Sequence, residues 1–243
     1  MKKYLMLLGA DIKNMGRDPM LLFASGAPLL LLALMRLGVP AARDLLAAYV
    51  PFDLAQFYPL IAVFFSLLPA MLWGLTTAFL YLDEKDNGLT AYFFITPLRK
   101  SGYLAYRLSF PLVFSFAFTV LLAATNGLVV FTLWQIMVFA VLSSVLSLVF
   151  FFALAALAHN KVEGLALGKA LGVILLGPVA SGILPSPLKY LGAIFPPFWS
   201  AEFLFASMNR GPAWYLVLAA GAAVALHALP LVLLFRRYLK NLA

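Results

Sequence analysis

Apolar residues along this chain fall into long blocks, and polar positions are confined to the short intervals between them. A bilayer core of about 30 Å needs roughly 20 apolar residues per helix. On that rule the pattern predicts six spans, at about 19–38, 57–82, 108–130, 134–158, 170–187 and 214–235. Before them, Leu5, Leu8, Ile12 and Met15 recur at three- and four-residue steps among polar Lys2, Lys3, Asp11, Lys13, Asn14 and Arg17. That periodicity predicts a helix over 4–17 lying in the membrane surface. Asp18-Pro19 is a helix start, since Asp caps free amides and Pro suits the first helical position. Arg36, near the far end of the first span, is expected to snorkel outward. Thr125, Asn126 and Gly127 are expected to form a tight hairpin, and His159–Lys169 a polar loop. The fifth block is short and broken by Gly172, Gly177, Pro178, Gly182 and Pro185, and the apolar stretch after it is interrupted by Pro196-Pro197. The expectation is a broken, partly re-entrant segment, tolerated where protein or a cavity covers the freed backbone. The fold class is thus an all-α integral membrane protein of one domain.

Composition agrees: 65% of the 243 residues are hydrophobic and 11% charged, against roughly 45–50% and about 25% in soluble domains. The net charge of +8 does not point to nucleic acid, because the basic residues sit at the ends of apolar blocks and not on a soluble face. Placing the N-terminus in the cytoplasm puts Lys2, Lys3, Lys13, Arg17, Lys85, Arg99, Lys100, Arg107, Lys161, Lys169, Arg236, Arg237 and Lys240 inside. Only Arg43, Lys189 and Arg210 then lie outside. The asymmetry predicts a cell (inner) membrane protein with both termini cytoplasmic. Met1-Lys2-Lys3 and Tyr4–Ala10 imitate a signal peptide, but the apolar run stops at Asp11 without a small-residue cleavage site, so it is read as mature protein.

Enzymatic chemistry is not evident. The chain has no cysteine, and its two histidines, His159 and His227, have no carboxylate in the spans to orient them. His227 lies mid-span, where an ionisable group is a functional candidate by default; the plainer reading is a neutral imidazole bonded to a neighbouring helix. Gly164–Lys169 falls one spacer short of a phosphate-binding loop, and Ala170 stands where its hydroxyl should be. No cofactor or metal is expected on this chain.

After the second span, Glu84-Lys85-Asp86-Asn87-Gly88 and Phe93-Phe94-Ile95-Thr96-Pro97-Leu98 resemble the E-x-E-x-G-T-L-E-x-L-L-x-T-P-L-S stretch of ABC-2 type (type V) exporter permeases. Leu89, Ala91 and Arg99 depart from that pattern. Arg17-Asp18-Pro19, Asn160–Gly164 and the Pro-rich segment extend the likeness over the chain, which resembles the drug-efflux branch of fluoroquinolone export permeases. The resemblance implies a half-transporter that pairs with a second permease, an identical copy or a paired paralogue, and a soluble ABC ATPase subunit, where ATP and Mg bind. It implies ATPase coupling at Glu84, Asp86, Gly88, Phe93, Thr96 and Pro97. A pathway along the second and fifth spans would involve Phe65, Trp73, Thr76, Thr77, Pro178, Ser181 and, from the last span, His227. Aromatic spans fit a hydrophobic or amphipathic cargo. The alternatives are a secondary transporter or channel, which usually needs mid-membrane acids or repeats, and an ABC-2-like subunit of polymer export or membrane assembly.

Overall fold

A computed structural model describes residues 2–90 and 99–241. Its helices are α1 (Lys2–Arg17), α2 (Pro19–Ala33), α3 (Val39–Tyr49), α4 (Tyr58–Asp86), α5 (Arg99–Thr125), α6 (Leu133–Leu157), α7 (Lys161–Leu171), α8 (Leu176–Ile183), α9 (Pro196–Met208) and α10 (Ala213–Asn241). Six helical stretches are long and apolar enough to cross a membrane. Among the described residues there is no strand.

Helix α1 packs on α2 and the end of α4. The face it turns inward holds Asp11 and Met15, both buried, with Leu7 and Leu8 beside them, while Ile12 is exposed. The expected assignment of Asp11 to the polar face is therefore corrected. Asp18 caps α2, accepting from the amides of Met20 at 2.9 Å and Leu21 at 3.3 Å. The first span does not stop at Gly38. It passes through a π-helical turn, Leu34–Gly38, into α3 and reaches Tyr49. Arg36 lies in that wide turn and rests against Gly127.

Three other boundaries move for local reasons. The third span starts seven residues early, at Ser101, and so takes in Arg107. It ends at Thr125 because Asn126 accepts from the amides of Leu128 and Val129, both at 2.8 Å, and Gly127 turns the chain at φ +75°. The apolar residues 128–131 are therefore connection, not helix. The fifth span starts at Lys161, not Ala170, since Asn160 caps it by accepting from Glu163 N at 3.0 Å; His159–Lys169 is mostly helix, not loop. Pro178 does not break this span. Without an N–H it leaves the carbonyl four residues earlier unmatched, and the preceding turn tightens to a 3-10 stretch over Gly172–Leu175.

The chain then folds back. Gly177 lies against Phe195 and Phe198, and Gly192 against Ala180, so the 3-10 segment Leu188–Ile194 runs back along α8 before α9 returns toward the end of the bundle where α6 starts. Gln135, at the start of α6, donates to Ser207 near the end of α9 at 3.1 Å.

Helices α4, α5 and α6 pack on one another at the centre. In α6, 72% of the most apolar window is buried, against 22% in the first and fifth spans and 17% in the last, so those three present apolar faces to their surroundings. Glycines set the close contacts. A Cβ on Gly74 would lie 2.5 Å from the Ser147 carbonyl oxygen and 2.8 Å from Phe150 Cβ. Gly164, Gly168 and Gly172, at four-residue steps, meet Leu82, Phe79, Leu75 and Met71 along α4. Gly74→Ala is expected to push α4 from α6 and cost about 1–3 kcal/mol. Gly168→Ala, whose Cβ would meet Leu75 at an ordinary 3.6 Å, should be neutral or gain up to about 1 kcal/mol of helix propensity. Thermal unfolding in detergent reads both; equal effects would show that the α4–α6 contact is looser than its geometry.

Candidate coupling and pathway sites

Residues from α1, α4 and α5 form a buried ion network at the bundle end that carries the termini. Arg107 on α5 is fully buried, and its guanidinium meets Asp11 with two bonds, Nη1 to Oδ2 at 2.8 Å and Nη2 to Oδ1 at 3.2 Å. Nη2 also donates to Glu84 on α4. Two carboxylates thus share one cation, and hydroxyls support them. Tyr106 donates to Asp11 at 2.6 Å, and Tyr103 donates to Glu84. Planar, bidentate recognition of this kind is what guanidinium supplies and ammonium does not.

Around that centre lies a half-exposed shell. Lys161, at the start of α7, reaches Asp18 at 2.7 Å and Asp83 at 2.8 Å, and its amide donates to Asp86 at 3.1 Å. The hydrogen bond from Lys161 holds the Asp18 carboxyl below the usual carboxylate range. A lowered pKa means that this contribution is complete above the unfolded value and fades as pH falls through the folded one. The α4 helix ends at Gly88, whose φ of +70° and amide bond to Lys85 O at 3.0 Å form the left-handed turn that glycine adopts without strain. These contacts join five helices, α1, α2, α4, α5 and α7, into one polar assembly.

The opposite end holds a second cluster. Glu202 on α9 is buried and accepts from Ser181 on α8 at 2.6 Å, from Tyr215 on α10 at 2.7 Å, and from Lys189 in the returning 3-10 segment.

The family profile described as "Fluoroquinolones export permease protein Rv2686c-like" matches residues 11–235. The chain belongs to this family. Two relatives from Mycobacterium tuberculosis, the fluoroquinolones export permease proteins Rv2686c of strain H37Rv and MT2760 of strain CDC 1551, are each 33% identical over 235 residues. The match covers 94% of this chain and 90% of each relative. No solved structure matches the chain. Six apolar helices and membership of an export permease family make this a multi-pass membrane protein.

In this permease the expected coupling residues separate. Glu84 is buried in the Arg107 network, whereas Asp86 and Gly88 are exposed. Phe93, Thr96 and Pro97 lie outside the described residues. Of the expected pathway residues, Trp73 is buried and stacked on Phe114 at 4.4 Å between ring centroids. Thr77 donates to the Trp73 carbonyl at 2.8 Å, while the buried Thr76 hydroxyl has no partner among the described residues. Phe65 is half-buried, Pro178 is buried, and Ser181 binds Glu202. His227 bonds the carbonyl of Ala223 on its own helix at 2.7 Å, not a neighbouring helix, and its Nε2 has no partner among the described residues. Sequence reasoning missed Asp11, Arg107, Lys189, Glu202 and Tyr215. For Glu202 a signal existed, since it is the lone acid in an apolar run.

Proposed function

We propose that this chain is the permease subunit of an ABC exporter that moves a hydrophobic or amphipathic, drug-like compound of the fluoroquinolone kind out of the cell. A second permease copy completes the pathway, and a separate soluble ATPase binds ATP and Mg and docks at the end that carries the termini, in the cytoplasm. The observation that carries this reading is the likeness, over 94% of the chain, to permeases named for fluoroquinolone export.

The ion network supports the ATPase position. A push on α1 or on the segment after Gly88 would be felt at once in α4, α5 and α7, because Asp11, Glu84, Arg107 and Lys161 tie them together. A proton-coupled carrier needs a buried carboxylate free to exchange its proton. Each buried acid here is engaged by a cation and a hydroxyl, which favours an external energy source.

Orientation is tested by cysteine labelling, which the absence of native cysteine simplifies. Arg43→Cys and Asn209→Cys should react with an impermeant thiol reagent added to whole cells, and Asn87→Cys should react only after lysis. Reversed labelling would place the ATPase-docking end outside the cell and end the proposal.

A further inference from the structure

At the end of the bundle away from the termini lies a cleft of about 460 Å³ between the start of α4, α8, α9 and α10, within the range of about 300–1,000 Å³ of small-molecule sites. Glu202, Lys189, Ser181, Tyr215, Gln56 and Asn209 supply its polar lining, and Leu60 and Phe205 part of its apolar wall. Only 5% of the Glu202 side chain and 20% of the Lys189 side chain are exposed. The cleft therefore holds one buried negative and one largely buried positive group, in contact with each other.

That balance selects ligands. A ligand with only an ammonium group would have to draw Glu202 from Lys189 and leave the lysine unpaired; one with only an anionic group would strand the glutamate. Stranding either partner of a buried pair is costly. A ligand with both charges replaces one ion pair by two and strands nothing. The geometry permits the exchange. Glu202 keeps its hydroxyl donors, Ser181 and Tyr215, on α8 and α10, while Lys189 is a long, flexible side chain on the 3-10 connection. We propose that this cleft is a binding site for zwitterionic amphipathic ligands, with the ligand's ammonium on Glu202, its anionic group on Lys189 and its apolar body against Leu60 and Phe205. The inference rests on reading the chain as an export permease, whose cargo such a ligand would be. The same chemistry is carried by a free compound or by a zwitterionic lipid headgroup.

The test uses the full permease in phosphatidylglycerol nanodiscs without ATPase or nucleotide, and three probes sharing one apolar body. These are Nε-dansyl-lysine, a zwitterion; its methyl ester, a cation; and its Nα-acetyl derivative, an anion. Fluorescence titration should rank the zwitterion tighter than either by about tenfold or more. In Glu202→Gln the anionic probe should bind at least as tightly as the zwitterion, and in Lys189→Met the cationic probe should do so. Three probes binding the unaltered protein within about twofold, or a ranking unchanged by both substitutions, overturns the site. Added short-chain phosphatidylethanolamine displaces the probe if a headgroup is the occupant and leaves it in place if a free compound is; either result keeps the site, whose existence the ranking decides. Because no ATPase is present, loss of the ranking leaves the proposed ATPase partnership intact, and failure of that partnership leaves the ranking unaffected.

Discussion

Arg107→Met is expected to be among the most damaging single substitutions, lowering stability by about 3–5 kcal/mol. It removes a cation that Asp11 and Glu84 share and leaves two carboxylates in a site where the arginine itself is only 1% exposed. Arg107→Lys should recover part of the loss, because an ammonium supplies charge but not the two-pronged contact with Asp11. The triple replacement Arg107→Met, Asp11→Leu, Glu84→Leu should recover most of it, since no charge is then stranded. Thermal unfolding of the purified permease gives the order. If the single and triple variants melt together, the network contributes by shape and not by charge.

The second large effect separates two acids that lie only two positions apart. Glu84→Lys brings a second cation against Arg107 inside the network, so the permease should misfold or lose several kcal/mol, on the scale of about 3–5 for a broken buried pair. Asp86 is exposed and, among the described residues, accepts only the Lys161 amide at 3.1 Å, so Asp86→Lys should cost about 0–1 kcal/mol. Interface charges steer partner binding, and the same Asp86→Lys permease should retain less ATPase on co-purification. Undiminished retention would move the docking surface away from this helix end, and a stable Glu84→Lys permease would remove the network from the account of the fold.

The six spans were legible because each carries a long apolar block, and a bilayer leaves little freedom in its length. The starts of the third and fifth spans slipped because charged residues were taken as markers of the membrane surface, and the end of the third because an apolar run hid the Asn126-Gly127 turn. Arg36, Arg107 and Lys161 all lie within spanning helices, the second and third held by carboxylates from other helices. Some of the correct reading was present locally. Asn160 with Glu163 is a helix start, and Asn126-Gly127 a turn, each from residues within three positions. Choosing Glu84 over Asp83 or Asp86 as the inward acid was not legible. Neighbours on a helix differ by about 100° in direction, and only the positions of Asp11 on α1 and Arg107 on α5 decide which of them is buried.

The central claim is that a separate ATPase drives export through this permease. Its most direct measurement is uptake of a fluorescent fluoroquinolone into inverted membrane vesicles that contain the permease with or without its co-expressed ATPase, after the proton gradient is collapsed. Accumulation that requires permease, ATPase and hydrolysable ATP together is the expected result. Uptake that needs no ATP and disappears with the proton gradient would contradict the account and make the protein a secondary transporter.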